Sequence, residues 1–119
     1  MRILVLAAAL AVLASPVLAA EPGYVGGWAV SGTGCPKSLG ENDGYIQIKR
    51  KQVLEHEGGC DIVKNAAEPT GWTVNLACGS EGEFFKRKVH WSIDEKGKLV
   101  QFEKGKKTVY DSCPVIARR

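Results

Sequence analysis

Several things are scarce in this chain of 119 residues, and each scarcity excludes something. After residue 20 no apolar stretch approaches the roughly 20 residues a membrane-spanning helix needs, so no transmembrane segment is expected. Charge of one sign is scarce too: 16 basic against 13 acidic side chains give a formal net charge of +3. That balance excludes an obligate nucleic-acid binder, whose phosphate contacts demand a concentrated basic surface. Histidine occurs only twice, at His56 and His90. The sequence lacks Gly-x-Ser-x-Gly, His-Glu-x-x-His and any glycine-rich phosphate loop, so an enzyme is the least expected class. No cysteine pair has the close spacing of a metal site, and no histidine stands at ligand distance from one. No metal and no cofactor is expected. Nor does any segment beyond the first twenty residues hold the 3.6-residue period of an amphipathic helix.

What is present begins with an export signature. Residues 3–14 are an unbroken apolar run behind a single cation, Arg2, and Ser15-Pro16 end it. Val17-Leu18-Ala19 then sets small or medium residues at the positions a signal peptidase reads. Residues 1–20 are expected to be a removable signal peptide, and residues 21–119 a single domain in the periplasm or outside the cell. Removal takes one cation with it and leaves 99 residues at net +2, too few for most enzymes built around a large cofactor.

All four cysteines, Cys35, Cys60, Cys78 and Cys113, fall in that mature segment. An exported chain with an even cysteine count reads as a disulfide framework, here with three possible connectivities.

The mature chain reads as strands and turns. Gly26–Ser31 is a short strand opened by glycines, and Gly32–Gly44 is a loop rich in Gly, Pro, Asn and Asp. Tyr45–Lys49 alternates apolar and polar residues, Gln52–Glu57 does so more weakly, and Gly58-Gly59 is a hairpin signal. Cys60–Lys64 resumes a strand, Asn65–Gly71 reads as a turn, and Trp72, Val74, Leu76 and Cys78 share one face of the next strand. After a turn at Gly79–Gly82, Phe85, Val89, Trp91 and Ile93 alternate with Lys86, Lys88, His90 and Ser92. Asp94–Gly97 and Glu103–Lys106 are turns around Leu99–Phe102, Thr108–Tyr110 is the last strand, and Val115–Arg119 is expected to fray. Seven or eight short strands, each with one apolar face, bury those faces by closing on themselves. The expected fold is all-β, a small antiparallel up-and-down barrel of seven or eight strands with two disulfides.

Antiparallel pairing sets Cys60, at the start of one strand, opposite Cys78, at the end of the next. Cys60–Cys78 is therefore the preferred bridge, and Cys35–Cys113 follows by elimination.

Gly26-x-Trp28 at the head of the first strand resembles the opening motif of calycin-type barrels, the group of lipocalins, avidins and bacterial inhibitors of secreted metalloproteases. The resemblance implies a structural role for Trp28, plugging the closed end of the barrel. Size, export signal and disulfides are most similar to the periplasmic inhibitors of proteases and lysozymes, and to small secreted proteins of Gram-negative bacteria.

Gly79-Ser80-Glu81-Gly82-Glu83 is the candidate binding loop. Ser80, Glu81 and Glu83 would face a cationic protein partner such as a lysozyme, or else be solvated turn charges. Four basic clusters, Lys49–Lys51, Lys86–Lys88, Lys104–Lys107 and Arg118-Arg119, would bind anionic envelope polymers if one face gathered them. Arg87 stands in the apolar register between Phe85 and Val89, where an unpaired charge is costly. It either lines a barrel mouth or is rotated outward by a bulge. Both histidines are expected at the surface. The expected function is a small exported binding protein, inhibitor-like, acting on a hydrolase. The alternatives are a lipocalin-like carrier of a small apolar ligand, with three tryptophans plus Phe85 and Phe102 able to fill the interior, and an envelope structural protein.

Overall fold

The computed structural model describes residues 21–39, 41 and 43–116. The expected signal peptide, residues 1–20, and the basic pair Arg118-Arg119 lie outside the described residues.

Eight antiparallel strands follow one another around a closed barrel: β1 (Gly26–Val30), β2 (Tyr45–Ile48), β3 (Gln52–Glu55), β4 (Gly58–Glu68), β5 (Gly71–Ser80), β6 (Glu83–Ile93), β7 (Leu99–Glu103) and β8 (Lys106–Cys113). Closure comes from β1 pairing with β8, in register Gly27↔Cys113 through Val30↔Tyr110. Each strand pairs with its sequence neighbour, every connection after the long β1–β2 loop is short, and closure hides the edges an open meander would expose. Among the described residues no helix forms. The all-β barrel read from the alternation is the observed fold.

Alternation decides which side chains enter the barrel. Trp28, Ile46, Ile48, Val53, Val74, Leu76, Val89, Trp91, Leu99 and Tyr110 meet in one buried cluster, joined by Tyr24 from the segment before β1. Tyr24 lies edge-on to Trp72, ring centroids 5.1 Å apart, and tilted against Trp91 at 4.8 Å. The indole N–H of Trp28 donates to the Tyr24 carbonyl at 2.8 Å, and that of Trp91 to Gln101 Oε1 at 2.8 Å. The interior is thus filled by aromatic rings whose polar atoms have partners, as burial requires. Phe85 and Phe102 take no part; they are 46% and 42% exposed.

Both disulfides form as paired from the sequence: Cys60–Cys78 inside the barrel and Cys35–Cys113 on its outside. Cys60 and Cys78 are direct partners in the β4–β5 ladder. Two closed disulfides indicate an oxidising environment, extracellular or periplasmic.

Three local expectations are corrected. The β3–β4 turn falls on His56-Glu57, with Glu57 at φ 60°, while Gly58 and Gly59 already pair with Glu55 and Leu54 inside the ladder. Those glycines serve close approach instead: a Cβ at Gly58 would stand 2.7 Å from the Gly79 carbonyl oxygen, and one at Gly59 2.9 Å from that of Val53. Asn65–Glu68 is strand rather than turn, paired with Val74 down to Gly71. A bulge at Val63 precedes it, where the register slips between Ile62 and Lys64. Finally, residues 115–116 do not fray. Gln47, buried on the outside of β2, accepts from the Ile116 N–H at 2.8 Å and donates to its carbonyl at 3.1 Å. Ile116 packs with Leu39 against Ala29, Tyr45 and Cys113.

Candidate binding surface

The end of the barrel away from Tyr24 carries the β1–β2 loop and the turns β3–β4, β5–β6 and β7–β8. The last two are two-residue connections, Glu81-Gly82 and Lys104-Gly105, with φ of 52° and 84°, and of 53° and 80°. Such left-handed pairs match the twist of tight hairpins, and the glycine supplies the second at low steric cost.

Ser80, Glu81 and Glu83 are placed as follows. Ser80 ends β5 and faces Glu83 across the turn. Its hydroxyl donates to the Glu57 carbonyl at 3.0 Å, joining the β5–β6 turn to the β3–β4 turn. Glu57, Glu81 and Glu83 are exposed on this joined pair of turns, so three carboxylates share one side of the mouth. Among the described residues the only ion-pair partner of the three is His56, whose Nε2 lies 3.3 Å from Glu57 Oε2.

Arg87 takes the first of its two alternatives: it points inward and lines the mouth. Its Nε and one terminal nitrogen donate to the two carboxylate oxygens of Glu103, each at 2.9 Å, and the other terminal nitrogen donates to Glu55 at 3.2 Å. The β6–β7 ladder ends at His90↔Phe102, so this fork spans β6 and β7 where their backbones no longer pair. The bond from Arg87 holds the Glu103 carboxyl below its ordinary range, and the same bond raises Arg87 further above neutrality. Beneath them, burial pushes the Tyr110 phenol up, and the charge of Glu55 adds to it. Arg87 also stands 3.9 Å from Cys60 Sγ, directly over the internal disulfide.

The histidines are half-buried rather than free at the surface. His56 sits in the β3–β4 turn with its Nδ1 buried and without a hydrogen-bond partner among the described residues. His90 lies toward the opposite end, its Nε2 3.2 Å from the Thr70 carbonyl and its Nδ1 3.6 Å from Glu68. The two are therefore not brought together. Among the described residues no group of three or more His, Cys, Asp or Glu is placed to hold a metal ion.

Two features escaped sequence reading. Glu55 and Glu103 are the partners Arg87 required, and the signal for them was Arg87 itself: a cation in an apolar register needs carboxylates within reach. Phe84 is the other, an apolar ring in the outward register of β6 beside Lys86 and Lys88. Its ring lies against Gly79 of β5, yet it is 87% exposed.

Comparison of the chain with family models, with curated proteins and with solved structures gives no match.

Proposed function

We propose that the chain is a small exported binding protein that works from its outer surface on a protein partner, as an inhibitor of a cationic hydrolase such as a lysozyme or a secreted protease. The observation that carries this reading is the join between Ser80 and Glu57, which gathers Glu57, Glu81 and Glu83 on one side of a braced barrel mouth. Charge complementarity of that kind speeds encounter and selects partners by sign. Two disulfides and a filled core keep the turns rigid, which lowers the ordering cost of binding. Residence in the periplasm, and the inhibitor role that the calycin-like Gly26-x-Trp28 implies, belong to the same reading. The interior supports it indirectly: a carried ligand would have to displace Trp28, Trp91 and their neighbours, all buried.

The test is an inhibition panel. The oxidised mature protein, titrated into cationic lysozymes and secreted proteases, is expected to slow at least one of them. Glu81→Lys with Glu83→Lys should abolish the effect without changing the melting temperature. Unchanged rates across the panel overturn the reading.

A further inference from the structure

A second surface, distinct from the acidic turns, combines basic and apolar groups. Alternation along β6 sends Phe84, Lys86 and Lys88 outward, since Val89 and Trp91 point into the core. Beside them β5 turns only small residues out: Gly79, Ala77 and Asn75, the direct partners of Phe84, Lys86 and Lys88. On the far side of β5, Lys64 pairs with Asn75, and the bulged Val63 is 66% exposed. Where β7 joins, Phe102 is paired with His90 on one side and Lys107 on the other. A groove of about 480 Å³ beside them is lined by Val63, Asn75, Leu76, Ala77, Lys86, Arg87, Lys88 and Lys104.

Two large apolar side chains, Phe84 and Val63, thus stand out among lysines on the face of β4–β6, where an isolated barrel gains nothing from exposing them. The lysines lack close ion pairs, although the charge of Glu103 acts on Lys104. Lys98 pairs with Asp111 elsewhere on the barrel at 3.0 Å, but among the described residues Lys64, Lys86, Lys88, Lys104 and Lys107 have no ion-pair partner. The carboxylates on or beside the face are Asp61, opposite Ala77, Glu68 at its lower end and the exposed Glu83, the residue before Phe84, so with Lys64, Lys86, Lys88, Lys104 and Lys107 the local balance is positive.

We propose that this outer face of β4–β6 docks onto an anionic lipid surface, the lysines lying among negative headgroups while Phe84 and Val63 enter the boundary with the acyl chains. Long lysine stems let the ammonium groups reach headgroup oxygens while the sheet lies flat. Exposed aromatic and aliphatic groups add the apolar contribution that charge alone lacks. A soluble polyanion would use the lysines and leave Phe84 idle, which separates the two chemistries.

Co-sedimentation with vesicles tests it, using the oxidised mature protein, phosphatidylcholine alone and phosphatidylcholine mixed with phosphatidylglycerol. Binding is expected only to the mixed vesicles and should weaken as salt rises. Each lysine near an anionic surface contributes about fivefold in affinity, so Lys86→Glu with Lys88→Glu should lower binding at least 25-fold. Phe84→Ser should lower it too, while Lys49→Glu with Lys51→Glu, at the other end of the barrel, should leave it nearly unchanged. No binding to mixed vesicles overturns the proposal. So does equal loss from the Lys49 and Lys51 variant, which would mean undirected charge attraction. Binding to dextran sulfate that matches the vesicles and is indifferent to Phe84→Ser would assign the face to a soluble polyanion and overturn the lipid assignment. Circular dichroism of each variant confirms that the barrel is intact.

Discussion

Arg87 and Glu103 meet through two parallel N–H···O bonds of 2.9 Å, across a gap that the β6–β7 backbone ladder leaves open. With Glu55 on the other terminal nitrogen, one side chain ties β3, β6 and β7 together at the mouth. Removing the cation leaves two half-buried carboxylates facing each other.

Arg87→Met is therefore expected to destabilise by about 1–3 kcal/mol, between the small value of an exposed pair and the larger cost of breaking a buried one. Adding Glu55→Leu and Glu103→Leu should recover most of that loss. Urea unfolding of the three proteins measures it; a single-variant loss under about 0.5 kcal/mol would show the mouth to be held by other contacts.

Acid should act on the same contact with a definite sign. The folded-state Glu103 carboxyl is held below its ordinary value of 4.5 by Arg87. Its contribution is complete above that value and is lost as the pH falls through the lower folded-state value. The stability gap between the native chain and Glu103→Gln should stay constant from pH 5 to neutrality and narrow below about pH 4.5. A gap that widens in acid contradicts the assignment.

Glycine substitutions should separate close approach from open turns. At Gly71 a Cβ would collide with the Trp91 carbonyl oxygen and crowd Ser92, and φ is +139°. At Gly97 φ is +82° with nothing within 4 Å. Gly97→Ala is expected to cost about 1–2 kcal/mol, the left-handed penalty alone. Gly71→Ala should cost clearly more, because the β4–β5 turn must also move away from β6. Equal melting temperatures for the two variants would refute the distinction.

Reduction should unfold or nearly unfold the domain. Restricting loops of 78 and 18 residues is worth about 4.5 and about 3 kcal/mol on the chain-entropy scale. Small domains have about 5–15 kcal/mol in total. Breaking Cys35–Cys113 alone, by paired serine substitutions, should cost more than breaking Cys60–Cys78 alone. A reduced protein melting within a few degrees of the oxidised one would exclude this.

The sequence made the barrel legible because burial on one face imposes a period of two, and Trp72-x-Val74-x-Leu76-x-Cys78 carries it without interruption. The same register placed Cys60 opposite Cys78. What misled were glycines and side chains whose role depends on distant strands. Gly58-Gly59 has the composition of a turn, but the Gly79 backbone beside Gly58 and the Val53 carbonyl beside Gly59 are what require it. Asn65 looks like a turn residue, yet its amide donates to the Tyr24 hydroxyl at 2.6 Å inside the sheet. Nothing local marks Gln47 as the anchor of Ile116. Within the candidate surface, Ser80, Glu81 and Glu83 were legible as a turn, whereas their join to Glu57 is a tertiary fact.

The bridge between Cys35 and Cys113 has a consequence for survival among proteases. Its two halves bracket β2 through β8, so the backbone between them is a covalent ring closed by sulfur. A single cut anywhere along that ring, including the part of the β1–β2 loop that follows Cys35, opens it without releasing a fragment. The nicked barrel keeps all eight strands on one molecule, able to re-pair as an intramolecular process. Only a second cut, or a reductant, lets a piece leave.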